Sequence, residues 1–153
     1  MVNYVLIICC VFFMSFGSCV KEKQVQVSRN YAFVLKVYSE NNINYVEADY
    51  VQYVTGDRAI EEAKKNGDAD TRLVNGEKVY SVPGDFYIVN EHNKIRKLAV
   101  SDNVKLDLVS SNDSKNKKEL NTFDDFTNDY KDKLFLLTIE SEKIIEIEEV
   151  FTP

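Results

Sequence analysis

The chain contains few of the residues on which most catalytic and metal sites depend. It has no tryptophan, one histidine and three cysteines among 153 residues. The cysteines, Cys9, Cys10 and Cys19, all lie close to the start of the chain. The remainder can therefore form no disulfide, no cysteine-based zinc site and no Cys–His nucleophilic pair. No glycine-rich phosphate loop is present either.

Glycine and proline are also scarce, and this scarcity agrees with a chain built from strands. There are five glycines and two prolines, against nine tyrosines and nine phenylalanines. Aromatic and β-branched residues are enriched in strands, whereas glycine and proline interrupt them. The composition therefore favours a β-rich protein.

Positive charge is in deficit, with a formal net charge of -6 at pH 7. Nucleic-acid binding depends on neutralisation of phosphates by lysine and arginine, so a nucleic-acid partner is not expected. The same deficit makes the domain a poor partner for anionic lipid surfaces.

An uncharged apolar segment opens the chain and ends at a cysteine. Residues 1–20 contain no Lys, Arg, Asp or Glu, and the apolar core covers residues 4–16. This core has the length of a signal-peptide core and is short for a membrane span of roughly 20 residues. Gly17 and Ser18 then precede Cys19. Small residues before a cysteine are typical of bacterial lipoprotein signals, in which the cysteine thiol receives the lipid.

Two features depart from the lipoprotein pattern. Phe16 stands where an aliphatic residue is usual, and the first three residues, Met-Val-Asn, include no basic residue. A plain cleaved signal and an uncleaved anchor helix, in which Cys19 would be incidental, are the alternatives.

The expected organisation has three parts. A lipoprotein-type signal peptide covers 1–18, a tether covers 19–30, and a single β-rich domain covers 31–153. The protein is then exported, lies in the bacterial cell envelope and is attached to the membrane through lipid on Cys19.

Alternation and turn signals predict about eight short strands and two short helices. Strands are expected around the Asn75–Gly76 turn and at 31–38, 43–54, 78–82, 86–89, 95–100, 104–108, 134–140 and 144–151. Helices are expected at 57–66 and from a capping box at Thr122 to about Tyr130. The fold class is mainly β (α+β), a small antiparallel barrel or strongly curled sheet. Its element order resembles the oligonucleotide- and oligosaccharide-binding (OB) barrel, a likeness that does not give function.

Three stretches of sequence resemble a family of uncharacterised small exported bacterial proteins and lipoproteins. They are YVEADYVQYVTGD at 45–57, VPGDFYIVN at 82–90 with the following Ile95-Arg96, and the terminal segments LTIE at 137–140 and IEE at 147–149. The resemblance spans nearly all of the chain after the signal. It implies export and a compact β-rich domain, and it supplies no catalytic or binding residues.

Candidate catalytic groups have simpler explanations. His92 lies in a polar turn, where solvent exposure accounts for it. Glu47 and Asp49 lie two residues apart on one strand, whereas glycoside hydrolysis needs carboxylates opposed across a cleft. An enzyme is therefore not expected, and the alternative is an envelope hydrolase whose carboxylate site is unmarked in the sequence.

A partial calcium-loop pattern follows the first helix. Oxygen donors Asn66, Asp68 and Asp70 occupy loop positions one, three and five, and Glu77 occupies position twelve. Thr71, however, stands where the loop needs glycine for its sharp turn. A helix end followed by an Asn-Gly hairpin explains the same residues, so no metal and no cofactor are expected.

Tyrosines on the predicted strands offer a possible binding face. Tyr45, Tyr53, Tyr80 and Tyr87, with Glu47 beside them, could contact a protein, peptide or glycan, and Tyr50 belongs to the same set. Strand tyrosines are more often half-buried core residues with a wet hydroxyl. We expect a lipid-anchored, non-enzymatic binding module, with a purely structural lipoprotein as a further alternative.

Replacing Cys19 with alanine tests the lipid anchor. Labelled palmitate should enter the wild-type protein in its host, because the thiol carries the acyl chains. Cys19→Ala should abolish the labelling and leave unprocessed precursor. Equal labelling of the two proteins would refute lipidation at Cys19.

Overall fold

The computed structural model of the protein describes residues 25–109 and 122–152. Within these residues, the first group of elements is β1 (Val27–Glu40), β2 (Ile43–Thr55), α1 (Gly56–Asn66), β3 (Asp70–Val74) and β4 (Glu77–Ser81). A 3₁₀ turn at Pro83–Asp85 leads into β5 (Phe86–Val89) and β6 (Ile95–Asp107). The last elements are α2 (Phe123–Asp129), β7 (Leu134–Glu140) and β8 (Lys143–Val150).

Five strands close into a barrel. The main sheet has the order β1-β7-β8-β6-β2-β5, and an additional pairing of β1 with β2 joins its sides. The ladders are antiparallel except for β6 and β8, which run parallel. Helix α2 lies in the chain between β6 and β7, while β5 extends β2 outside the closed ring. The fold is therefore a small, OB-like β-barrel with two short helices, which confirms the predicted fold class.

Asparagine and glycine form two of the three two-residue hairpin turns in the described residues, and Ser141 and Glu142, with φ angles of 49° and 66°, form the third between β7 and β8. Asn41 and Asn42, between β1 and β2, have φ angles of 52° and 61°. Asn75 and Gly76, between β3 and β4, have φ angles of 54° and 87°. Two-residue hairpin turns of this kind require a positive φ at both positions, which asparagine and glycine tolerate better than other residues. The Asn75-Gly76 turn lies where the sequence predicts it, and the Asn41-Asn42 turn lies between the strands expected at 31–38 and 43–54.

Two strands differ from the sequence-based expectation. β1 begins at Val27, so residues 27–30 pair with β7 instead of belonging to the tether. β6 runs continuously over the two strands expected at 95–100 and 104–108. The polar residues 101–103 resemble a turn, but they occupy an irregularity in the pairing with β8 between Val100 and Lys105.

Helix α2 closes one end of the barrel. Thr122 Oγ1 accepts a hydrogen bond from the Asp125 backbone N–H at 3.2 Å, which is half of the expected capping box. The helix places Phe126 in the core with no exposed surface. The Phe126 ring meets the Phe135 ring edge-on, with centroids 5.3 Å apart. The core therefore continues from the barrel interior into this helix.

Truncating Phe126 tests this closure. Phe126→Ala should lower the free energy of unfolding by about 3–5 kcal/mol, because it removes a buried ring and leaves a cavity. Urea unfolding followed by circular dichroism measures the change. Phe151→Ala is the matched control, since Phe151 is 71% exposed and its truncation should cost less than about 0.5 kcal/mol. Equal losses in both variants would contradict the role of Phe126.

Candidate functional site

The barrel end remote from α2 opens into a hollow of about 770 Å³. Strand β7 connects the two ends, because Phe135 near its start contacts Phe126 and Ile139 near its end lines the hollow. The other lining residues come from β1, β2, β6, the loop before β6 and the turn after β7, and they are Ser28, Asn30, Tyr45, Tyr50, Lys94, Ile95, Arg96, Lys97, Leu98, Ala99 and Glu142. The volume lies in the range of roughly 300–1,000 Å³ that small-molecule sites occupy.

Strand alternation brings Tyr50 and Arg96 to the hollow. Val46 and Ala48 face the core from β2, and Tyr50 is the next residue on the same face, half-buried at its edge. Arg96 on β6 lies across from Ala48 in the ladder. The central guanidinium carbon of Arg96 lies 4.1 Å from the centroid of the Tyr50 ring. The two side chains therefore form a cation–π pair at the barrel mouth.

The protonation state of Tyr50 follows from its surroundings. Burial raises the pKa of the Tyr50 hydroxyl, and the positive charge of Arg96 offsets only part of that rise. An unperturbed tyrosine already titrates near pH 10. The hydroxyl is therefore neutral at physiological pH and can donate a hydrogen bond into the hollow.

Lys97 forms a second cation–π pair at the outer rim. Its Nζ lies 4.1 Å from the centroid of the Tyr45 ring, which also stacks on Tyr38 at a centroid distance of 5.7 Å. The same Nζ lies 2.9 Å from Glu40 Oε2, and this hydrogen bond raises the pKa of Lys97. The charge of Lys97 is therefore largely balanced by Glu40.

Positive charge is concentrated at this hollow although the chain as a whole is acidic. The run Lys94-Ile95-Arg96-Lys97 contributes three cations to the lining, whereas Glu142 is the one carboxylate among the lining residues. Ile95 in the same run is 58% exposed. The hollow thus offers cations, tyrosine hydroxyls and an exposed aliphatic side chain close together.

A buried carboxylate anchors the loop that leads into this run. Asp49 on β2 is 8% exposed, and its Oδ2 accepts a hydrogen bond from Asn90 Nδ2 at 2.7 Å. Asn90 is the first residue after β5, and the loop from it ends at Lys94. Asp49 Oδ1 is buried and has no hydrogen-bond partner among the described residues. Asn90 is therefore the donor that this buried carboxylate depends on.

The four tyrosines of the expected binding face lie in separate places. Tyr45 lines the hollow, at the start of β2. Tyr53, near the end of β2, lies between Tyr31 and Phe86 with ring centroids 5.1 and 5.3 Å away. Tyr31, Tyr53 and Phe86 form an aromatic row across β1, β2 and β5. The rings of this row pack against one another.

The other two tyrosines contact helix α1. Lys64 Nζ lies 4.4 Å from the centroid of the Tyr80 ring. The Tyr87 hydroxyl donates to Asp68 and accepts a hydrogen bond from Asn66 Nδ2 at 3.2 Å. Both rings therefore pack at the end of α1, away from the hollow.

Glu47 lies on β2 between two lysines of the neighbouring strands. Its ladder partners are Lys36 on β1 and Lys97 on β6. Glu47 is partly exposed, whereas Asp49, two residues along, is buried. The pair therefore does not flank a cleft, as carboxylates acting together in glycoside hydrolysis would.

The residues of the calcium-loop pattern are drawn into other interactions. Asp68 accepts the Tyr87 hydroxyl, Asp70 begins β3 and Glu77 begins β4. Within 25–109 and 122–152, no three His, Cys, Asp or Glu side chains are grouped so that they could hold a metal ion. The segment forms the left-handed end of α1 at Gly67 and the β3–β4 hairpin.

Arg96, Asn30 and Ser28 were not identified as site residues from the sequence. One signal was available, since Lys94-Ile95-Arg96-Lys97 is a basic run in an acidic chain. The sequence could not show that β1 and β6 meet at one barrel mouth. Their positions depend on the ladders that each strand forms with β2.

Comparison of the chain with protein-family models, with curated proteins and with solved structures gives no match. The predicted signal peptide, Cys19 and the first part of the predicted tether lie outside the described residues. None of the helices in the described part of the chain is long and apolar enough to cross a membrane.

Replacing Asn90 with alanine tests the anchor of the β5–β6 loop. Asn90→Ala should lower the free energy of unfolding by about 1–3 kcal/mol, because the buried Asp49 carboxylate loses its hydrogen-bond donor. Chemical denaturation measures the loss. The control is Asn93→Ala in the same exposed loop, which should be close to neutral. A neutral Asn90→Ala would show that Asp49 does not depend on this contact.

Proposed function

We propose that the protein is a lipid-anchored, non-enzymatic binding module of the bacterial cell envelope, and that the hollow is where it binds a protein, peptide or glycan. The observation that carries this proposal is the composition of the lining. Two tyrosines and three cations surround an apolar floor that includes Leu98 and Ile139. A few polar groups converging on an apolar concavity are the usual form of a binding site.

The lining supports binding better than hydrolysis. A hydrolase of the two-carboxylate type needs a second acid opposite the first, and Glu142 is the one carboxylate in the lining. Asp49 is buried, bonded to Asn90 and outside the lining. A purely structural lipoprotein, in turn, gives no reason for Arg96 and Tyr50 to occupy the open end of a hydrophobic barrel.

The anchor position agrees with this role. The stretch between Cys19 and Val25 spans at most roughly 20 Å when fully extended. β1 then begins at Val27, and its first residues, Ser28 and Asn30, line the hollow. A lipid on Cys19 would therefore keep the open end of the barrel near the membrane surface, where envelope components are concentrated.

Site-specific crosslinking in intact cells tests the proposed function. A photoreactive amino acid in place of Ile95, at the hollow, should give a specific adduct with the full-length protein. The same amino acid in place of Leu73, which is 72% exposed on β3, should not. Tyr45→Ala should reduce the Ile95 adduct, because it removes a ring that lines the hollow and lies 4.1 Å from Lys97 Nζ.

The matched control for Tyr45→Ala is Tyr80→Ala, since Tyr80 packs beside α1 and away from the hollow. It should leave the adduct unchanged. An Ile95 position that gives no specific adduct, or an adduct that both tyrosine variants leave intact, would contradict binding at the hollow.

A further inference from the structure

We propose that the hollow binds an acidic saccharide, a sugar ring that bears a carboxylate, and that Arg96 is the residue that holds the carboxylate. This inference rests on the proposed binding function and names the ligand class. Three features of one hollow support it: an arginine that has no acidic partner among the described residues, neutral hydrogen-bonding groups and an apolar floor.

Arg96 is a cation whose hydrogen-bonding capacity is mostly unused. Arg29 pairs with Glu148 and Lys97 pairs with Glu40, but Arg96 forms no salt bridge with any residue in 25–109 or 122–152. Its Nη1 donates to the backbone oxygen of Lys94 at 2.8 Å. A guanidinium has five N–H donors in a rigid fork, so donors remain for a ligand. The cation–π contact with Tyr50, at 4.1 Å, holds the guanidinium at the hollow before a ligand arrives.

The charge balance of the hollow suits a monoanion. Arginine forks bind both carboxylates and phosphates. Here Glu40 balances Lys97, and Glu142 offsets one of the two remaining lining cations, Lys94 and Arg96, which leaves one positive charge. A carboxylate monoanion matches that charge, whereas a phosphate monoester carries about −1.5 to −2 at neutral pH and would exceed it. The structure therefore favours a carboxylate on Arg96.

The other lining groups match a sugar ring. Ser28, Asn30 and the neutral hydroxyl of Tyr50 can exchange hydrogen bonds with sugar hydroxyls. Leu98 and Ile139 offer an apolar surface to the C–H face of the ring. The hollow thus combines neutral polar groups and aliphatic surface around Arg96, as a ring with hydroxyls on its edge and one carboxylate requires.

A peptide strand is the competing ligand, because extended peptides commonly bind by adding a strand to an exposed sheet edge. Among the described residues, 27–30 of β1 pair only with β7, and 95–98 of β6 pair only with β2. Main-chain hydrogen bonds at these edges would not use the guanidinium of Arg96. A dependence of binding on Arg96 therefore favours recognition by the side chains of the hollow.

Calorimetric titration of the full-length protein in detergent tests the proposal. The probes are the methyl glycosides of glucuronic and galacturonic acid, with methyl glucoside and methyl galactoside as neutral counterparts and a blocked glutamate peptide as a non-sugar carboxylate. At least one acidic glycoside should bind at least about tenfold more tightly than its neutral counterpart and than the peptide. Its affinity should fall as salt is raised, because salt screens the Arg96–carboxylate attraction.

Variants of Arg96 test whether this residue causes the preference for acidic sugars. Arg96→Met keeps an unbranched stem over Tyr50 and removes the charge, so acidic-sugar affinity should fall at least about tenfold, or 1.4 kcal/mol. Arg96→Lys keeps the charge but loses the fork, and it should also weaken binding. Arg72→Met on the exposed strand β3 is the matched control and should bind as the wild type does.

The outcomes separate the ligand class from the binding function. Equal affinity for acidic and neutral sugars, unchanged affinity in Arg96→Met, tighter binding of the glutamate peptide, or no binding of any probe would each overturn the proposal. The comparison of acidic with neutral sugar uses the wild-type protein and stands even where a variant fails to fold. A specific crosslink from Ile95 without sugar binding would leave the binding function intact and reject the saccharide.

Discussion

Closure of the barrel by β1 is the constraint on which the rest of the structure depends. This strand of 14 residues pairs with β7 through its first half and with β2 through most of its length. A register shift between Val34 and Lys36 leaves Leu35 out of the ladder with β2. Such an irregularity bends a strand and increases its twist, so one strand can border both sides of the ring. Without this closure there would be no enclosed interior and no barrel mouth.

The two ends of the closed barrel have different side chains, and this difference points to the site. At the α2 end, Phe126 and Phe135 fill the interior. At the other end, the inward positions of β1 and β6 hold Asn30 and Arg96 in place of apolar residues. An isolated hydrophobic barrel gains nothing from polar groups at inward positions. Polar residues at inward strand positions are expected at functional sites, where binding is maintained at a cost in stability.

Much of the fold follows from local sequence, whereas the site depends on long-range pairing. Asn41-Asn42 and Asn75-Gly76 specify hairpins through their backbone preferences, and Thr122 specifies the start of α2 through its side chain. The parallel pairing of β6 with β8 has no local signal, because it joins strands that are distant in the chain. The tyrosines show the same limit. Alternation predicts which face of its own strand Tyr53 occupies, but only the assembled sheet places it beside Tyr31 and Phe86 instead of beside Tyr45.

We propose that the barrel end opposite α2 is a ligand site centred on Arg96. The most direct measurement is a map of NMR chemical-shift changes in the full-length protein, in detergent, as methyl glucuronoside or methyl galacturonoside is added. The predicted result is a set of saturating shifts confined to the start of β1, Tyr50, residues 94–98 and the β7–β8 turn. Shifts that centre on the aromatic row of Tyr31, Tyr53 and Phe86, or no saturating shifts at the barrel mouth, would contradict it.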